Sequence, residues 1–336
     1  MSIHFNSILL RDVGEIKLQQ SFMKKIFCFL FIYIIVTLAA IAQQDPQFTF
    51  NKMIQLSVNP GFAGNEGVVN GLILNRTQWL GFDGAPKTQL VSVDAATDLL
   101  GFKSGVGFNV MSDVLGFQKN IAVKLDYAYR RMTKFGNLGI GASFGFYNIA
   151  FDGTWFVPTG DLWTPAETDL IVPNGKVSQM AFDLGLGIFL KSNDYFVGAS
   201  VTHLNQASIV FADMASTYLA RHYYVSGGYN ISLADPLFEI QPSVFLKTDM
   251  VSYQADMTID LIYKKRYSAG LNYRIQDAIG VLLGFEMVNG LRIGYAYDIM
   301  TSAMASYGGG SHEIYLGYSF DLGKNRSKKY KSVRFL

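Results

Sequence analysis

Two neighbouring stretches, Leu291–Ile299 (LRIGYAYDI) and Ile314–Phe320 (IYLGYSF), decide how the rest of the chain is read. In the first, Leu291, Ile293, Tyr295, Tyr297 and Ile299 share one parity, and Arg292, Gly294, Ala296 and Asp298 share the other. Side chains alternate across a strand, so one face is apolar and aromatic and the other small or charged. A soluble sandwich would also alternate, burying one face and wetting the other. The deciding point is that the pattern recurs nearly end to end, with tyrosines near strand ends. That is the signature of an outer-membrane barrel, apolar towards lipid, polar inside and ringed by aromatics at both interfaces.

Working outward, the pattern predicts fourteen strands: 69–79, 87–98, 103–112, 118–130, 136–149, 180–190, 195–203, 220–232, 237–247, 256–264, 266–274, 278–287, 290–299 and 311–321. The first two alternate poorly. An even count suits a closed antiparallel barrel with both ends on one side. The connections test this independently. The longest follow strands five (150–179), seven (204–219) and thirteen (300–310), all odd, as external loops should. Connections after the even strands are short, and the last carries a hairpin-type Asn289-Gly290.

Inward parity collects Lys124, Asp126, Arg130, Asp183, Glu239, Lys247, Asp260, Arg274, Glu286, Arg292 and Asp298 as candidate lumen charges. The outward parity of the same strands collects residues such as Leu125, Tyr127, Leu186, Ile259, Leu261 and Leu271. A lysine or arginine facing lipid at the midplane costs about 2–4 kcal/mol, so a spanning barrel must sort its charges inward. The inward signs are mixed. A strongly selective pore would favour one sign, so the favoured reading is a network of paired opposite charges rather than a selectivity ring. Glycines are dense on inward positions (Gly139, Gly141, Gly185, Gly187), where a curved wall and a crowded interior favour small residues.

The 336 residues suffice for one large β domain or two ordinary ones. Residues 1–42 read as a leader: Met23-Lys24-Lys25, an apolar run over 26–38 and a small-x-small site at Ala40–Ala42 give the parts of a cleaved signal peptide starting at Met23. The single cysteine, Cys28, lies inside it, so the body has no disulfide, thiolate metal site or cysteine nucleophile. Residues 43–68 read as a periplasmic N-terminal lead-in, with a turn at Asn59-Pro60-Gly61-Phe62-Ala63-Gly64. The barrel occupies 69–323, and 324–336 is a basic periplasmic tail.

Of 28 basic and 26 acidic residues, four and two lie in the leader and six and none in the tail, leaving 43–323 at net −6. The tail's Lys328, Lys329, Lys331 and Arg334 are candidate periplasmic contacts, since clustered positive charge attracts acidic partners or anionic head groups. Trp155, Phe156 and Trp163 stand in the proline-containing loop after strand five. They are candidate external contacts, or the loop folds inward as a plug. His203, His222 and His312 lack partners at ligand spacing, so a metal site would need long-range convergence and none is assigned. No hydrolase elbow or phosphate-binding loop occurs in a strand-to-helix setting. No enzyme activity, cofactor, nucleic-acid partner or small-molecule substrate is read from the chain.

Several motifs together resemble a known family. They are Asn59–Gly64; Arg76–Gln89 (RTQWLGFDGAPKTQ); Gly105–Asp113 with Gly116; Asp126–Arg130; Gly290–Tyr297; Ser311–Ile314; and Tyr330–Phe335. They are similar to the PorP/SprF family of type IX secretion outer-membrane proteins of Bacteroidetes, over nearly all of 44–336, with Trp79–Gln89 the most specific block. The resemblance implies a barrel in the outer membrane, contact with lipid and with other type IX components or secreted cargo, and a role in export or surface attachment, in some members linked to gliding adhesins. It implies no catalytic residues. Tyr315–Leu322 also looks like the last-strand signal of barrel assembly, although the chain runs on into its tail. The competing reading is a FadL-like or porin-like barrel that passes small solutes.

Overall fold

The structure is a computed structural model that describes residues 45–99, 101–153, 175–211, 215–306 and 308–321. Fourteen antiparallel strands close into a barrel. In chain order they are β1 (Val69–Thr77), β2 (Lys87–Leu99), β3 (Phe102–Leu115), β4 (Gln118–Thr133), β5 (Gly136–Gly153), β6 (Gly175–Lys191) and β7 (Tyr195–Thr202). A small hairpin, β8 (Ser208–Phe211) and β9 (Ala215–Tyr218), forms a two-stranded sheet of its own. The wall resumes with β10 (His222–Tyr229), extended by the two-residue β11 (Ile231–Ser232). It continues through β12 (Phe238–Thr248), β13 (Tyr253–Tyr263), β14 (Tyr267–Arg274), β15 (Ala278–Glu286), β16 (Leu291–Met300) and β17 (Ser311–Phe320). Each strand pairs with its neighbours, and β1 pairs with β17 from Val69–Phe320 to Thr77–His312. That last pairing removes both free sheet edges.

All fourteen predicted strands are present, with ends shifted by a few residues. The largest shift is at β5 and β6, where 150–153 and 175–179, read as loop, continue the ladder to Gly153–Gly175. Polar residues such as Asp152, Lys176 and Ser178 broke the apolar pattern there, but backbone pairing does not need an apolar side chain. The connection read as a bare loop after β7 contains the β8–β9 hairpin, which buries Ile209 and Phe211 against Tyr147, Ile149 and Ala181.

Parity sorts the two faces. Outward side chains such as Ile73, Ile140, Ile188, Ile259, Leu271 and Ile299 are at least half exposed, all round the wall. So continuous an apolar exterior is stable only against lipid. Aromatics gather near the strand ends, as in the chain of ring contacts from Phe238 through Tyr263 and Tyr267 to Phe285. The inward face is buried and carries the charged residues along with apolar ones, and the long connections share one end of the barrel, here the loop end, opposite the turn end.

Candidate functional site

What fills the barrel is the segment read from sequence as a periplasmic lead-in. Residues 45–67 lie within the ring of strands, so that expectation is corrected for the described part. The physical reason is the segment's own composition. Phe48, Phe50, Met53, Ile54, Leu56 and Phe62 are all at most 7% exposed. Left in water they would forfeit about 1.5–3 kcal/mol each. The inner wall supplies matching apolar positions, Leu72, Leu74, Leu90, Tyr224, Phe245, Ile262, Leu282 and Tyr315. Phe50 meets Tyr315 edge to face at 4.7 Å, and Phe62 meets Phe189 at 5.1 Å.

The segment enters from the loop end at Asp45 and leaves at the turn end to begin β1. A single helical turn, α1 (Gln55–Val58), leads to a 3-10 turn at Pro60–Phe62. Asn59 starts that turn by accepting from the Gly61 N–H at 2.9 Å, while Pro60 fits the first position, where no N–H is needed. Gly64 then turns the chain with φ +66°.

Around this turn the backbone of the plug lies directly on the backbone of the wall. A Cβ on Gly105 would sit 1.9 Å from the Ala63 carbonyl oxygen, and one on Gly139 would sit 2.2 Å from that of Gly61. The inward glycines of β3 and β5 are therefore a moulded seat for Asn59–Gly64. Charges complete the seat. Arg130 donates to the Ala63 carbonyl at 2.8 Å and to Asn65 Oδ1 at 2.6 Å, and Asp94 accepts from the Gly64 N–H at 3.0 Å.

At the loop end the plug is held by ion pairs. Arg76 reaches Glu313 at 2.8 Å and Asp298 at 2.7 Å, and both residues are fully buried partners of its guanidinium. Glu313 also accepts the Thr49 and Phe50 N–H groups at 2.8 and 2.9 Å. The Thr49 hydroxyl donates to Asp298 and accepts from Arg76 at 2.9 Å. Arg274 pairs with Asp256 at 2.8 Å and Asp298 at 3.2 Å and donates to the Phe48 carbonyl at 3.1 Å. Desolvating so many charges is tolerable only because each is paired and hydrogen-bonded, and part of that satisfaction is the backbone of the plug.

Of the candidate lumen charges, ten are buried inside the barrel and Glu286 is half-buried near the turn end. Arg130, Lys247, Asp260, Arg274, Arg292 and Asp298 touch the plug: Lys247 through the Asp45 carbonyl at 2.7 Å, Asp260 through Lys52, and Arg292 through Glu66 at 3.7 Å. Lys124 pairs with Asp183 at 3.6 Å. Asp126 accepts from Asn109, and Glu239 pairs with Lys265 at 3.5 Å. Trp155, Phe156 and Trp163, like Lys328, Lys329, Lys331 and Arg334, lie outside the described residues.

Sequence reasoning missed Arg76, Asp94, Asp256 and Glu313, together with the plug's own Asp45, Lys52 and Glu66. One signal pointed to Arg76: it shares parity with Leu72 and Leu74, and a buried strand cannot send that trio to lipid. The conflict resolves only if the lumen offers both apolar and acidic partners.

At the far end of the plug, Asp45 meets two histidines. His203 Nε2 is 3.1 Å from Asp45 Oδ1, and His222 Nε2 accepts from the Asp45 N–H at 3.2 Å.

A family model described as "Type IX secretion system membrane protein PorP/SprF" matches residues 40–318. The chain belongs to that family. The match takes in both the plug and nearly all of the wall, so the filled lumen falls within the part of this PorP/SprF chain that the family model covers. No curated protein matches the chain. Solved structures with a similar outline include Omp33 of Acinetobacter baumannii, at 9% identity, over 75% of this chain and 98% of that one, TM-score 0.44. The toluene transporter TbuX of Ralstonia pickettii matches at 11% identity, over 80% of this chain and 93% of that one, TM-score 0.48. KdgM porin matches at 9% identity, over 75% and 99%, TM-score 0.35. These likenesses add nothing to the ring of strands already given by the chain's own pairing.

Proposed function

We propose that this PorP/SprF protein is an outer-membrane component of type IX protein secretion that works through its surfaces, assisting export or surface attachment of secreted proteins, including adhesins in gliding species. The observation that carries the reading is the filled lumen. Side chains and backbone of 45–67 occupy the interior, and the cavity beside Thr49, Phe50 and Lys52 is about 20 Å³, room for about one water. A barrel closed in this way acts by contact rather than by conduction, which favours secretion over the solute-channel alternative. In this reading Trp155, Phe156 and Trp163 meet partner or cargo outside the cell, and Lys328, Lys329, Lys331 and Arg334 meet a periplasmic partner. The 1–42 leader directs the chain through the inner membrane and is cleaved.

Two measurements test it. Deletion of the gene is expected to leave secreted surface proteins undelivered, with delivery restored by the wild-type gene; normal delivery in the deletion strain would sink the secretion reading. The purified full chain in planar bilayers is expected to be electrically silent, and steady single-channel conductance would return the argument to the pore.

A further inference from the structure

Both histidines facing Asp45 have one ring nitrogen committed to a neighbour. His203 Nδ1 lies 2.9 Å from a carboxylate oxygen of Asp183, and His222 Nδ1 lies 2.9 Å from the Ala220 carbonyl oxygen. Carbonyl and carboxylate oxygens only accept, so both Nδ1 atoms carry hydrogen, and His222 Nε2, which accepts from the Asp45 N–H at 3.2 Å, presents a lone pair. Both Nε2 atoms face Asp45, His203 at its carboxylate and His222 at its N–H. His203 Nε2 lies 3.1 Å from Asp45 Oδ1, so a cation, a proton or a metal ion, is shared between the two atoms.

The surroundings fit a metal ion. One ligand atom from each of Asp45, His203 and His222 lies within 4.8 Å of the other two. Ligands bound at about 2.0–2.1 Å in a tetrahedron stand about 3.3 Å apart, so a modest contraction closes the set. The Asp183–His203 contact is the carboxylate–imidazole pairing that orients metal-binding histidines. The Tyr224 hydroxyl donates to Asp45 Oδ2, leaving Oδ1 to point at His203. His203 and His222 are 3% and 2% exposed, on opposite ends of the chain segment that joins β7 to β10. Two nearby ammonium groups oppose a dication: Lys124, held by Asp183 at 3.6 Å, and Lys247, held by the Asp45 carbonyl at 2.7 Å. They lower affinity without occupying any of the three ligand atoms.

We propose that Asp45, His203 and His222 bind one zinc-class divalent cation that staples the start of the plug to the loop end of the barrel. Two imidazole nitrogens and one carboxylate oxygen suit Zn²⁺, with water in the fourth position. Binding gives up the Asp45 N–H to His222 bond, releases to solvent the proton held between His203 and Asp45, and places one metal bond on each of the three ligand atoms. The staple is independent of the secretory reading, since it depends only on where Asp45 meets the wall.

The test is calorimetric titration of Zn²⁺ into the purified, chelator-treated full chain, repeated with Co²⁺ to read the visible absorption of tetrahedral cobalt. One equivalent is expected to bind, with at least ten-fold weaker binding in H222Q and D45N. H312A is expected to bind as wild type, because His312 lies against Tyr295 and Tyr297 on another part of the barrel. Heat-modifiable migration on gels confirms that each variant is folded. Absence of saturable binding to the folded wild-type chain would show that the cation is a proton on His203 and overturn the proposal. So would binding undiminished in both H222Q and D45N.

Discussion

The two ends of the plug are held by different physics. At the turn end, Asn59–Gly64 rests backbone on backbone against Gly105, Gly139 and Gly141, and the fit is one of shape. At the loop end, Thr49 and Phe50 hang in a lattice of Arg76, Arg274, Asp298 and Glu313, and the fit is one of charge. A shape fit rejects any added atom. A charge fit accepts changes of shape that keep the charge and the hydrogen bonds. Between them, Met53 and Ile54 meet Leu72, Leu74 and Leu90 in an ordinary apolar core.

The largest break is expected at the charged end. Arg76→Ala leaves Glu313 and Asp298 buried with less counter-charge, which costs about 3–5 kcal/mol. Arg76→Lys should recover only part of it, because an ammonium cannot span both carboxylates as the guanidinium does. Urea unfolding of the detergent-solubilised barrel would measure both. Equal losses in the two variants would show that charge is not what matters there.

At the shaped end, Gly105→Ala is expected to cost about 1–3 kcal/mol by overpacking. The control is Gly227→Ala, where the nearest atom to a new Cβ is 3.6 Å away and no loss is expected. If the two variants unfold together, the moulded seat is not real. Asn59→Ala comes next. It removes the acceptor of the Gly61 N–H and the donor to the Ile188 carbonyl at 3.0 Å. Leaving the buried Gly61 N–H unpaired should cost about 1–3 kcal/mol, at the lower end if water reaches it, while the Ile188 carbonyl keeps its place in the ladder. The smallest effect is expected at Lys265→Ala. Its pair with Glu239 is made by a side chain 53% exposed, so a loss of about 0–1 kcal/mol is expected. A larger loss would mean that Glu239 depends on that lysine despite its exposure and its second contact to Asn230 at 3.2 Å.

The wall was legible because lipid imposes a rule on every strand. Arg292 and Asp298 could be assigned inward from their parity with Gly294 and Ala296, and both are buried there. β1 was hard to read for a reason now visible. Leu72 and Leu74 are inward and apolar because they face Ile54 and Phe50 rather than water, so the polar-inward rule fails where the lumen has its own core. The same holds for Tyr315 on β17. The glycines at 105, 139 and 141 could be read as inward, but not as a seat, since a missing side chain does not announce what occupies its place.

Alternation and loop length, both local properties of the chain, were enough to determine a closed barrel of fourteen strands and which residues face lipid, because the membrane penalises each misplaced residue separately. The plug was decided by tertiary structure alone. Whether Phe48–Phe62 folds outside the barrel or within it depends on contacts between residues up to 264 apart, such as Thr49 with Glu313. The same long-range closure brings Asp45 to His203 and His222, which stand 158 and 177 residues further along the chain. Sequence spacing carries no trace of partners that meet only because the first residues of the body thread the space its last strands enclose.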